Sequence, residues 1–497
     1  MNAYNSNYHR HRHAHALAQR GTLERARGGP TLENMTEPGH WQDPAAGAPL
    51  AQPHYAQAPL PQVQGPGPGS ALSYRPDYWA HPAPVQTKRK PRGTGVKVTN
   101  IILLSVLILV TLVTLAFFAI SIGANVFLIC GALALIPLVI CIAALMWIDR
   151  WEPEPLAALI LGFCWGAGMA VVTTLVVGSW VQPLLMSPNP AADADMVGAV
   201  IQAPLVEEFC KGAGLLLLFF LRRRTFDGPI DGVVYAGMIA AGFAFTENIL
   251  YFGQALSDAD GAVGGLASIF ILRGLMSPFA HVMFTAMLGV CVGYAARNGG
   301  TLMVLGAWVV GLVPAMLLHG LWNGSAFLGG NFIIVYVVLQ VPLFILSIVG
   351  IILLRRSEAK LTRRRLSDYV PSGWFTQQEV PMLATGAGRR RALTWARTFA
   401  AAPIMKEFIR LATRLAFTRQ RLLVDARGAS KGSRTRFAAN QELELGLLNR
   451  STAVRSELLG RHSQAVWQAQ NLASQQMQAQ QMQAQHFQSQ HQPWQQP

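Results

Sequence analysis

The chain has 497 residues, of which 52% are hydrophobic and only 13% charged, with a mean hydropathy of +0.31. Such a composition is too apolar for an ordinary soluble protein that also carries long polar ends. The formal charge of +15 is spread over short flanks of apolar stretches, which points to a membrane surface and away from nucleic acid as a partner. The five cysteines, Cys130, Cys141, Cys164, Cys210 and Cys291, fall inside apolar stretches at no metal-type spacing, so they read as packing residues and exclude a disulfide framework or a zinc–thiolate site.

In chain order, residues 1–97 are rich in His, Pro, Ala, Gln and Gly without periodicity and are expected to be a disordered region with no cleavable signal. Residues 98–354 contain about eight stretches of the ~20 apolar residues that cross a ~30 Å hydrocarbon core. They run approximately 99–121, 124–148, 156–181, 197–221, 231–252, 274–296, 300–325 and 331–354. The predicted fold is an all-α integral membrane protein, a polytopic bundle of about eight transmembrane helices.

The loops TKRKPRGTGVK, DRWEPEP, LRRRTFDGPID, AARNGG and RRSEAKLTRRR carry basic residues, whereas QPLLMSPNPAADADM and GQALSDADGAVGG carry none. Basic loops stay on the cytoplasmic side, so a multi-pass protein of the cell membrane with both termini cytoplasmic is expected. Residues 355–460 form a basic, amphipathic helical cytoplasmic region. Within it, residues 389–425 place apolar groups at helical spacing against a basic face, suited either to anionic lipid headgroups or to the protein's own loops. Residues 461–497 are dominated by Gln and cannot bury a core, so a disordered tail is expected.

Polar groups in four spans need an explanation, because a charge at the centre of a spanning helix costs about 2.5 to 3.5 kcal/mol. Glu207 and Glu208 stand in APLVEEFCKG, Glu247 and Asn248 in FAFTENILYF, His281 in SPFAHVMFTAM, and His319 and Asn323 in LLHGLWNG. With the alternating topology and a rise of 1.5 Å per residue, all lie roughly 8 to 15 Å below the outer surface. His319 and Asn323 share a helix face, as do His281 and Thr285. Glu207 and Glu208 point about 100° apart and serve different ends; Glu207 has Lys211 one turn on, an order typical of a helix-stabilising pair. Arg273 reads as a residue snorkelling to the interface.

The ordered set DRWEPEP, EEFCK, FAFTEN, FAH and HGLWN resembles the PrsW family of intramembrane proteases. That family is related to the group containing the CAAX prenyl endopeptidases and bacteriocin self-immunity membrane proteins. The resemblance covers about residues 140–330. It implies hydrolysis of a peptide bond in a membrane-anchored protein near its outer side, the best-known role being site-1 cleavage of an anti-sigma-type regulator. Carried over by residue, it implies Glu207, Glu208, His281, His319 and Asn323 as the site, with Glu247 beside them.

Two chemistries fit. In one, Glu207 as general base activates water, with His281 and His319 assisting and Asn323 donating to the oxyanion. In the other, His281, His319 and Glu207 hold a zinc with water in the fourth position; the lack of an HExxH motif favours the metal-free version. The alternative function is a proton-coupled transporter using the same Glu/His cluster, against which no inverted repeat of the motifs is visible.

Overall fold

The computed structural model describes residues 94–186, 193–223, 226–258, 263–428 and 431–490, so nearly all of the region expected to be disordered at the start lies outside the described residues. Described residues are helical, with no strand among them. The membrane part comprises α1 (Thr94–Ile122), α2 (Ala124–Ile148), α3 (Leu156–Cys164), α4 (Val171–Met186), the short α5 (Ala194–Val197), α6 (Ala203–Arg222), α7 (Pro229–Asp258), α8 (Val263–Phe270), α9 (Ala280–Asn298), α10 (Thr301–Ala326), the short α11 (Phe332–Val335) and α12 (Val341–Ser367).

Among the described residues, six helical runs are long and apolar enough to cross a membrane, where the sequence suggested about eight stretches. The difference has two causes. The stretch 197–221 is interrupted in composition by Glu207, Glu208 and Lys211, and the last two stretches fall in one run, Thr301–Ser367, broken by a 3-10 turn at Gly329–Asn331.

The central element is α7, whose span is 78% buried, against 22% for that of α1. It is approached closely on two sides through glycines. A methyl group on Gly232 would lie 1.9 Å from the Gly289 carbonyl oxygen of α9, and one on Gly242 would lie 2.2 Å from the Phe163 carbonyl oxygen of α3. Backbone-to-backbone contact of this kind replaces the hydrophobic drive that is missing between helices in lipid. It fixes the depth of α7 and α9 relative to each other, and so of the polar groups they carry.

Four π-helical segments, Trp165–Ala170, Gly198–Gln202, Ile271–Met276 and Tyr336–Gln340, interrupt the spans. Such bulges are often found at functional sites because they re-aim side chains.

Beyond the spans, α12 continues into a module made with α13 (Glu379–Ala384), α14 (Gly386–Arg397), α15 (Ala402–Arg427) and α16 (Lys431–Gln490). Its core contains Leu366, Tyr369, Phe375, Phe408, Leu415 and Leu448. The apolar face of α15 is therefore spent inside the protein, the second of the two settings that the sequence left open. Residues 461–490, expected to be disordered, continue α16 as helix. Gln, Ala and Met are good helix formers and no Gly or Pro intervenes, yet Trp467, Leu472, Met477, Met482 and Phe487 remain exposed, so this part has no core of its own.

Candidate active site

The site begins on α6, just after the π-helical segment Gly198–Gln202 and Pro204 in the first turn. Adjacent Glu207 and Glu208 leave the helix in different directions, and Lys211, one turn on, reaches both. Its ammonium lies 3.0 Å from Glu207 Oε2 and 2.9 Å from Glu208 Oε1. Lys211 is fully buried and rests over the Phe243 ring at 4.0 Å. A cation so enclosed is tolerable only with its charge matched at hydrogen-bond distance.

Three further helices complete the cluster. From α9, Thr285 donates to Glu208 Oε2 at 2.8 Å, and His281 Nδ1 lies 3.2 Å from the Lys211 ammonium. From α7, Glu247 Oε2 holds His281 Nε2 at 2.8 Å. From α10, His319 Nδ1 lies 3.0 Å from Glu208 Oε1 while its Nε2 faces Glu207 Oε2 at 3.8 Å. The two imidazoles stand at 89° with centroids 5.0 Å apart, and Phe284 stacks on His319 at 5.1 Å.

These contacts fix the tautomers. A carboxylate accepts only, so His281 carries its proton on Nε2 toward Glu247 and His319 on Nδ1 toward Glu208. His281 Nδ1 is then left to accept from the Lys211 ammonium, and His319 Nε2 is the bare ring nitrogen that faces Glu207. Glu207, His281 and His319 each offer one ligand atom within 4.8 Å of the others.

The structure thus brings together Glu207, Glu208, Glu247, His281 and His319. Asn323, on the same face as His319 by spacing, does not join them: its amide donates to the Ala199 carbonyl at 2.8 Å, tying α10 to the π-helical segment ahead of α6. Three residues carry more than their sequence context indicated. Lys211 is the hub of the cluster, not a staple at its edge. Thr285 orients a carboxylate, and Arg273 donates to Glu247 at 2.7 Å and Asn248 at 3.0 Å instead of turning to the interface. The only signal for Lys211 was its spacing from both glutamates.

The family described as PrsW family intramembrane metalloprotease matches residues 154–347, which contain every residue of the cluster. Protease PrsW of Clostridioides difficile is 30% identical over 197 residues, 38% of this chain and 76% of that protein. Protease PrsW of Geobacillus kaustophilus is 28% identical over 178 residues, 35% and 69% of the two chains, and Protease PrsW of Bacillus subtilis 25% identical over 177 residues, 35% and 72%. No solved structure matches. The cluster lies within the residues the family matches, and α1, α2 and the module from α13 onward lie outside them; with the identity to Protease PrsW of Clostridioides difficile, the chain belongs to the PrsW family of intramembrane metalloproteases.

Proposed function

We propose that this intramembrane protease hydrolyses its substrate with water activated by Glu207, at a reaction centre formed by Glu207, His281 and His319. The supporting observation is the convergence of Glu207, His281 and His319, with His319 Nε2 facing the Glu207 carboxylate and each histidine's other nitrogen held by a further carboxylate. The side chain of Glu207 is 7% exposed while that of Glu208 is fully enclosed, so Glu207 is the carboxylate that water and a peptide bond can reach. Glu208 and Glu247 are positioning residues: they fix the rings of His319 and His281.

The donor set also fits a metal. Two imidazoles and a carboxylate, with outer nitrogens on carboxylates, form the arrangement that structural chemistry associates with catalytic zinc. A zinc held by Glu207, His281 and His319 would, when bound, polarise the scissile carbonyl and acidify water. Lys211 supplies positive charge at the same place through its own contacts with Glu207 and His281. Without a metal, Glu207 takes the proton of the attacking water and, as the protonated acid, hands it to the leaving amine, directly or by way of His319 Nε2, which faces it. An oxyanion role for Asn323 requires its amide to leave the Ala199 carbonyl.

The one-sided basic loops support both termini on the cytoplasmic side and a site in the outer half of the membrane. The substrate class to test first is a membrane-anchored regulator of the anti-sigma type, cut near the outer end of its span. Transport is not favoured. Between Asp231 and Glu247, α7 carries Tyr235 as its one titratable side chain, so protons have no relay along the central helix.

The test is cleavage of a single-span substrate by purified protein, with metal analysis of wild type, Glu207→Gln and His281→Ala. Loss of cleavage in Glu207→Gln is expected, and wild-type turnover by that variant would overturn the assignment. Near-stoichiometric zinc that falls with His281→Ala supports the metal-bound form. Full activity after chelation of a zinc-free protein leaves Glu207 as the base without it.

A further inference from the structure

Next to the cluster lies a groove of about 240 Å³ whose walls include Ala280, Met283, Phe284, Leu318, Trp322 and Gln340. It shares a wall with the reaction centre, because Phe284 stacks on His319 and meets His281 edge-on with centroids 5.9 Å apart. Ala280 and Leu318 immediately precede the two histidines in the chain. Two irregular segments border the groove: the break at residues 277–279 after the π-helical Ile271–Met276, and the π-helical Tyr336–Gln340 before α12. The Tyr336 hydroxyl ties them by donating to the Met276 carbonyl at 2.8 Å. Around the groove Leu275, Leu321 and Phe344 are exposed, on a face that meets lipid in a membrane.

The lining is largely apolar; the Ser277 and Tyr336 hydroxyls are spent on the Leu272 and Met276 carbonyls, which leaves the Gln340 amide. Gln340 is 5% exposed and its amide donates to Ser325 Oγ at 2.7 Å. Its carbonyl oxygen Oε1 is buried with no partner among the described residues. A buried acceptor left unmatched costs free energy, and an apolar side chain cannot match it. A segment of helix cannot either, since its backbone N–H groups are already spent inside the helix. An extended segment has such groups to give, and a peptide bond must be unwound in any case before water can reach its carbonyl.

We propose that this groove is the pocket for a large apolar side chain beside the scissile bond. It would receive a locally extended part of the substrate's own membrane span, entering from the lipid, with one substrate backbone N–H donated to Gln340 Oε1. This inference rests on the reaction centre proposed above. The chemistry selected is Leu, Met or Phe at the position next to the cleaved bond. Ala fills the pocket poorly, and Asp is excluded by the apolar walls.

The test uses full-length protein and a single-span substrate in which the residues flanking the mapped cleavage site are varied among Ala, Leu, Phe and Asp. At one flanking position, wild type should cleave Leu or Phe substrates with kcat/KM at least about tenfold above Ala, the scale on which apolar pockets discriminate. Met283→Trp should remove most of that advantage, bringing the Leu and Phe substrates down toward the Ala substrate. Met283→Ala, which opens the pocket, should shift preference the other way, toward Phe over Leu, and remains informative if the larger residue disturbs folding. Gln340→Leu should lower kcat/KM by about fivefold on all substrates, mainly through KM, without changing their order. Cleavage that is abolished by Glu207→Gln but whose side-chain preference is unmoved by both Met283 variants overturns the pocket and spares the reaction centre. Cleavage untouched by Glu207→Gln overturns both.

Discussion

Two clusters of buried charge occupy opposite ends of α7 and are assembled differently. Around Glu247, three carboxylates meet Lys211 and Arg273, and both histidines are tied by their outer nitrogens. Around Asp231, roughly 24 Å away along the helix by its rise per residue, Asp149, Glu152, Glu154, Asp227 and Glu358 crowd together. Arg297 pairs with Glu358 at 3.0 Å, Arg421 of the C-terminal module pairs with Asp227, and Arg389 of the same module covers the Trp151 ring.

In this second cluster Glu152 Oε2 and Asp227 Oδ1 are buried without partners among the described residues. Burial pushes the pKa of Asp227 up against the pull of Arg421 and Arg297, and burial reinforced by neighbouring carboxylates pushes that of Glu152 up and that of Glu154 to about 8. Buried charge by itself therefore does not mark a reaction centre. What distinguishes the first cluster is that its histidines are oriented by carboxylates around Glu207 and Lys211, whereas the second holds excess acid at a joint between the spans and the module.

The comparison breaks most sharply on activity. Glu207→Gln should lower kcat/KM on a single-span substrate by about 10² to 10⁴, and Glu154→Gln, in the other cluster, by no more than about threefold. Equal losses would erase the distinction drawn between the clusters. The next effect is on stability: Glu208→Ala leaves Lys211 and His319 without their shared carboxylate, and should cost about 3 to 5 kcal/mol in thermal or denaturant unfolding. Glu208→Gln should recover much of both stability and turnover, as suits a positioning residue; if it were as inactive as Glu207→Gln, the roles within the pair would be reversed.

At the joint, Arg421→Ala should cost about 1 to 3 kcal/mol by unpairing Asp227. It should appear as faster limited proteolysis of the module, with the cleavage reaction itself retained. Smallest is a pH effect. A carboxyl whose pKa is raised in the folded state keeps a proton that the unfolded chain has released, so its contribution is complete below the ordinary value of 4.5 and is lost as pH rises through about 8. The melting temperature should therefore fall between pH 5 and pH 8 in wild type, and fall less in Glu154→Gln.

The first cluster was largely legible in the sequence because a charge in an apolar run is conspicuous, and topology alone set Glu207, Glu247, His281 and His319 at one depth. Rotation about each helix was not legible. Asn323 shares a face with His319 by spacing, yet its amide goes to Ala199, since the π-helical Gly198–Gln202 brings that carbonyl within reach. Lys211 was visible as a partner of Glu207 but not as the link to His281, which comes from a helix 70 residues later. The second cluster was invisible as a unit. Its acids come from three separate segments, and Arg421 reaches Asp227 across 194 residues of chain, a pairing that no local pattern encodes. The Gln-rich end misled in another way: lacking a core is a statement about tertiary packing, and backbone propensity still permits a helix.

The order of residues along α6 bears on how the protein is made. Glu208 finds Thr285 and His319 only 77 and 111 residues later in the chain. At common rates of synthesis the segment waits about 4 to 22 seconds before those partners exist. Over that interval two glutamates would oppose its entry into the bilayer, each at a cost of a few kcal/mol. Among their partners in the described residues, Lys211, three and four residues on, is the one that emerges from the ribosome together with them, so it neutralises one charge and lets the helix be handed to the translocon as a self-paired unit. The hub of the finished site is thus also the companion that carries its acids into the membrane during biogenesis.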